Sequence, residues 1–193
     1  MEQSFFTLEI GPKGRIFHVH KEVLTYQSSV CCEALSEEGH EALIKLADVD
    51  AEAFEEVVME WLYTGRLFDA TDDVLVKSYT FALRYNFTEL RNSIVCELYS
   101  KYMWKKRGKL PDYGAVALAF DNLPGDAKLI TFLLDLYGKR WNPSVDNEMV
   151  YDELQELPKS FLVPLIVRLG CRGSVDADEV DYLSEYLEQA DKT

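Results

Sequence analysis

The stretch IFHVHKEVLTYQSS, residues 16–29, decides how the rest of the chain is read. It sets His18 and His20 two residues apart, followed at once by a lysine and an apolar run. Along a β-strand successive side chains alternate, so the two imidazoles share one face. Two readings follow. The pair is half of a metal site in a small metal-dependent enzyme, or it closes a strand whose last histidine anchors the turn into a helix.

The metal reading is short of ligands. A zinc site takes three or four protein groups. His40 is the only other histidine in the sequence, and nothing in the pattern places carboxylates beside the pair. The structural reading has one histidine facing solvent and the other, His20, held by backbone hydrogen bonds. A nucleophile is the next candidate, since Cys31 or Cys32 with a histidine has the right residue types. Cys31, however, lies in an apolar helical stretch with Val30 and Leu35, where a free cysteine serves as a small hydrophobe. GPKGR (11–15) has neither Walker spacing nor a dinucleotide-binding glycine pattern, and a hairpin turn accounts for it. The carboxylate pairs Glu37-Glu38, Glu55-Glu56 and Asp72-Asp73 read as solvated helix faces. No catalytic constellation emerges, and the chain reads as a non-enzyme without a cofactor or metal.

Composition narrows the partners. The chain has 193 residues with a net charge of −14, a field that repels a phosphate backbone and steers basic partners instead. The basic cluster Lys101, Lys105, Lys106, Arg107 and Lys109, interleaved with Tyr102 and Trp104, reads as a helix C-terminus and a solvated linker. An import signal or an RNA-facing patch is the other reading of that cluster. The four cysteines form no CxxC pair and read as free thiols in a reducing compartment. No signal peptide pattern opens the sequence, and no apolar run approaches the length that spans a bilayer. The expectation is a cytoplasmic or nuclear protein that touches neither membrane nor, directly, nucleic acid.

The elements follow from periodicity. FFTLEI (5–10) and RIFHVH (15–20) flank a Gly/Pro turn and predict a hairpin. Helix runs from Lys21 to about Glu37 with a break near Gln27-Ser28-Ser29, where serine can cap a second piece. ALIKL (42–46) predicts a third short strand. In 48–65, Asp50 caps a helix whose Phe54, Val57, Val58, Trp61 and Leu62 share one face, and Gly65 stops it. Residues 72–86 repeat the scheme and end at Asn86, and 87–103 follow with Thr88 as cap. The Lys, Gly and Pro content of 105–114 marks a boundary. Beyond it, 115–123, 126–141, 156–170 and an acidic 176–189, with Val180, Leu183 and Leu187 on one stripe, read as helices. The class is α+β: a helical cluster capped by a small three-stranded sheet over 1–104, then an all-α extension over 105–193.

The order of these motifs resembles the BTB/POZ domain. FHVHKEVLTYQSS carries its first signature in His20, Lys21, Val23, Leu24 and Ser28. IKLADVDAEAFEEVVMEWLYTGRL (44–67) carries the second in Ile44, Leu46, Asp48, Val49, Phe54, Trp61, Tyr63, Thr64 and Gly65. LVKSYTFALRYNFTELRNSIVCEL (75–98) resembles the closing helix pair. The WLYTG wording is similar to fungal members, and so, more loosely, are LLDLY (133–137) and PKSFL (158–162) in the C-terminal half. The chain departs from the pattern in four places. Ser4 stands where the family has an aspartate, and Cys31 where it has an aromatic. Phe54 to Tyr63 is one residue longer than usual, which predicts an irregular helix. The sequence begins almost at the first core strand, without the strand and helix that swapped homodimers exchange.

The resemblance implies protein–protein interaction without catalysis, by self-association or by recruitment of a partner. Many members bind a cullin scaffold as adaptors of a ubiquitin ligase, partly through an apolar-x-Glu pattern that Leu35-Ser36-Glu37 fits. The residues expected on a partner surface are Leu35, Glu37, Tyr63, Tyr79 and Tyr85, with core completion as the other reading of the tyrosines, of Tyr63 above all.

Overall fold

The computed structural model describes residues 5–28, 30, 43–105, 109–141, 154–170 and 183–189. The hairpin forms as the alternation predicts. Strand β1 (Phe5–Ile10) pairs antiparallel with β2 (Arg15–His20) and parallel with β3 (Leu43–Leu46), in the order β2-β1-β3. The turn between β1 and β2 closes with Gly14 N–H donating to the Gly11 carbonyl at 3.0 Å. Both glycines have positive φ, 74° and 62°, which side chains with a Cβ adopt at a cost. Phe6, Leu8, Ile10 and Val19 are buried on one face of the sheet. The other face carries Phe5, Thr7, Glu9, Ile16, His18 and His20.

Chain contacts divide the protein into two compact units, one of Met1–Ile94 with Gln189–Thr193 and the other of Val95–Glu188. In the first unit, β2 runs directly into helix α1 (Lys21–Gln27), with the break after Gln27 where the sequence suggested it. Ser28 is buried, and its hydroxyl donates to the Tyr85 carbonyl. The second helical piece expected up to Glu37 lies outside the described residues.

Helix α2 (51–64) begins as Asp50 accepts the Ala53 N–H at 2.9 Å. It is not a uniform α-helix. Ala51–Ala53 and Glu60–Thr64 are α-helical, and Phe54–Met59 between them is π-helical. A π-turn closes i→i+5 and takes up one residue more than an α-turn. The irregularity expected from the Phe54–Tyr63 spacing is this segment. It lets Phe54, Val57, Val58, Trp61 and Leu62 all be buried despite the extra residue. Gly65 then ends the helix with φ of 65°.

Helix α3 (Asp72–Arg84) packs its buried Leu75, Tyr79 and Ala82 inward, and Asn86 turns the chain with φ of 54°. The aromatic chain Phe17–Phe54–Phe81–Phe87 has centroid separations of 5.1, 5.4 and 5.4 Å and runs through the core. Helix α4 (Thr88–Ser100) continues as a π-helical Lys101–Lys105, and the division between units falls inside α4. Its buried Arg91 is satisfied by the Ala82 carbonyl and the Thr88 hydroxyl, at 3.0 and 3.1 Å.

The second unit is helical. Asp112 caps α5 (Tyr113–Asn122) at the Ala115 N–H. Helix α6 (Lys128–Arg140) is buried along much of its length, and α7 (Lys159–Gly170) crosses it closely enough that a Cβ on Gly138 would meet Arg168 at 3.2 Å. Arg168 Nε donates to Asp135 at 2.9 Å there. The helix expected over 176–189 is corrected in its described part. Leu183–Tyr186 is one 3-10 turn and residues 187–189 are not helical; the turn is fixed by Tyr186 meeting Phe132 edge-on and by Lys128 donating to the Glu185 carbonyl at 2.9 Å. Val180 lies outside the described residues. No described helix is long and apolar enough to cross a membrane.

Candidate docking surface

The two histidines of the opening stretch have separate fates. His18 is exposed, with Nδ1 3.3 Å from the Thr7 hydroxyl. His20 is half-buried, its ring 4.3 Å from that of Phe5. His20 stands where the strand turns into α1, as expected, and its ring also has a side-chain partner. Tyr63, 43 residues on, is that partner: its phenol lies 2.9 Å from Nδ1 and accepts the His20 backbone N–H at 3.1 Å. Among the described residues no cluster of three or more histidine, cysteine, aspartate or glutamate side chains is placed to hold a metal. His40, Cys31 and Cys32 lie outside them. Cys96 is a free thiol whose pKa burial pushes up, which lowers its thiolate fraction.

Of the five residues expected on a partner surface, the structure describes three, Tyr63, Tyr79 and Tyr85. Leu35 and Glu37 lie outside the described residues. Tyr79 is corrected, since it is fully buried in the first unit and belongs to the core. Tyr85 is half-buried at the end of α3, stacked on Phe81 at 4.9 Å. Tyr63 remains accessible at 47% exposure and so does more than complete the core. In the basic cluster, Lys101 and Tyr102 are buried, with the Lys101 ammonium 5.8 Å from the Tyr102 ring. They are withdrawn from any import or RNA-facing patch. Trp104 and Lys109 are exposed, and residues 106–108 lie outside the described residues.

The feature that sequence reasoning missed sits on α1. Glu22, Val23, Tyr26 and Gln27, with Leu62 from α2, line an open hollow of about 300 Å³. That is the lower end of the range for small-molecule pockets, about 300–1,000 Å³, and the hollow holds no convergent set of catalytic groups. Tyr26 is 87% exposed, the most exposed large hydrophobic side chain of the described residues. The signal was available. Leu24 is the buried anchor of this short helix, and a residue two positions on points the opposite way. Val30, also exposed, continues the apolar character four residues beyond Tyr26.

Comparison with known families gives one finding. The BTB/POZ domain model matches residues 2–101, just over half of the chain. No curated protein matches the sequence.

Proposed function

The chain belongs to the BTB/POZ family, whose domains are protein-interaction modules, and from that premise we propose that it is a non-catalytic docking module working through the hollow beside α1. In this reading residues 1–104 form the module, of fungal type, and 105–193 a helical extension. The observation that carries it is the hollow with Tyr26 standing free at its edge. An exposed tyrosine beside an apolar floor supports this reading, because tyrosine is among the residues enriched at the energetic centres of protein interfaces. Tyr63 and Tyr85 lie on the same unit and are candidate rim contacts. The module acts in the cytoplasm or nucleus, by self-association or by recruiting a partner protein.

Light scattering and quantitative affinity purification of the full chain test this. Tyr26→Ala is expected to lose the stoichiometric partner or the self-association while melting at the wild-type temperature. Identical assembly in wild type and variant rejects the surface. The narrower reading, a substrate adaptor of a cullin-type ubiquitin ligase, is supported by Leu35-Ser36-Glu37. Its expected outcome is a cullin that co-purifies with wild type and is lost on Leu35→Asp. A wild-type chain that retains no cullin rejects it.

A further inference from the structure

We propose that the hollow beside α1 recognises an arginine side chain presented by an apolar segment of the partner, an assignment that rests on the docking reading above. Glu22 and Tyr26 are four residues apart on α1 and therefore project from one helix face. Among the described residues the Glu22 carboxylate has no ion pair or hydrogen bond. The adjacent Lys21 ammonium lies over the Phe6 ring, 4.7 Å from its centroid. Tyr26 offers an aromatic face that is almost wholly solvated. A carboxylate and an aromatic face side by side are the two groups a guanidinium engages at once, by a forked hydrogen bond and by stacking.

The rest of the hollow fits the same side chain. Val23 and Leu62 provide an apolar floor for the methylene stem, and the Gln27 amide oxygen can accept a further N–H. A carboxylic or phosphorylated segment is disfavoured by Glu22 and by the chain's net charge of −14. Lysine satisfies the charge but neither the fork nor the stacking plane, so arginine is preferred over it.

The test is fluorescence anisotropy on the full chain with four labelled peptides. Each carries one variable residue between two leucines: arginine, lysine, the neutral isostere citrulline, or alanine. The arginine peptide is expected to bind about tenfold more tightly than the citrulline peptide, the size of one hydrogen bond to a charged group. Glu22→Gln is expected to erase that preference, and Tyr26→Ala to weaken both peptides together. Both side chains are surface groups, and unchanged melting curves confirm that folding is not the cause. Equal binding of the arginine and citrulline peptides, or no saturable binding of either, overturns the assignment. A partner lost on Tyr26→Ala but indifferent to Glu22→Gln overturns it too, yet leaves the docking reading standing. Selective arginine binding without any Tyr26-dependent assembly does the reverse.

Discussion

Tyr63 is joined to His20 twice, accepting its backbone N–H at 3.1 Å and meeting its ring Nδ1 at 2.9 Å. His20 is the residue before α1, where a helix leaves backbone N–H groups without helical partners. No side chain of α1 caps that end, so the cap comes from α2. With its oxygen accepting the amide, the phenol has its own proton free for Nδ1, which favours the tautomer protonated at Nε2. The strand-to-helix corner and the hollow next to it are thus positioned by a residue far along the sequence.

Tyr63→Phe removes both bonds and keeps the ring. The amide is partly solvated, so the expected loss is about 1 kcal/mol. For a chain of this size that lowers the melting temperature by about 2–4 °C. Amide exchange should quicken at His20 and in the first turn of α1. An unchanged melt together with unchanged exchange at His20 counts against the role assigned to the phenol.

The π-helical segment of α2 makes an unusual forecast about deletion. Removing Glu56 takes one residue from Phe54–Met59, and the segment can then close as an α-helix without rotating Trp61 or Tyr63 away from Ser93 and His20. Removing Thr80 from the regular α3 instead turns everything beyond it by about 100° and takes Ala82 off the core face. The Glu56 deletion is expected to fold with a near wild-type melt, and the Thr80 deletion to lose cooperative unfolding. Equal damage from both contradicts the view that the π-turn houses a spare residue.

Much of this was legible in the sequence for plain reasons. The hairpin, Asp50 as a cap, Gly65 as a stop and Asn86 at a left-handed corner are local decisions, made by residues a few positions apart. The length anomaly between Phe54 and Tyr63 was visible too, because a helical face tolerates one extra residue only by loosening a turn. What stayed hidden depends on distant pairs. Nothing near His20 announces Tyr63. Tyr79 and Tyr85 look alike in sequence, yet six residues of helix put one in the core and the other at its edge. Lys101 reads as one cation of a cluster until burial removes it.

Asp50 should make part of the stability pH-dependent. Burial pushes its carboxyl up, but the Ala53 N–H and the Lys77 ammonium at 2.9 Å together pull it below its ordinary value. With the folded pKa below the unfolded one, its contribution is present above the unfolded pKa and lost as pH falls through the folded value. Lys77 is raised by its bond to Asp50 despite burial, so its contribution is lost only as pH climbs through that raised value. Asp50→Ala is therefore expected to cost about 1 kcal/mol at neutral pH, for the cap and the half-solvated pair together. The gap between variant and wild type should close in acid, as the wild-type carboxyl protonates. Urea titrations at neutral pH and at about pH 3 measure it, and a gap that persists undiminished in acid refutes the assignment.

Phe161 tests whether the second unit has a core of its own. It is fully buried on α7, with its ring 5.1 Å from Phe120 and 5.2 Å from Tyr137, both in edge-on geometry. Three helices therefore meet at one side chain, and its loss leaves a cavity that rigid aromatic neighbours fill poorly. Phe161→Ala is expected to cost about 3–5 kcal/mol. Because the two units are separately compact, the damage should be local. Hydrogen exchange should speed up across α5, α6 and α7 while β1 and β2 keep wild-type protection. Loss of protection in β1 and β2 to the same degree means that the chain unfolds as one cooperative body, and the separate core of the second unit falls with it.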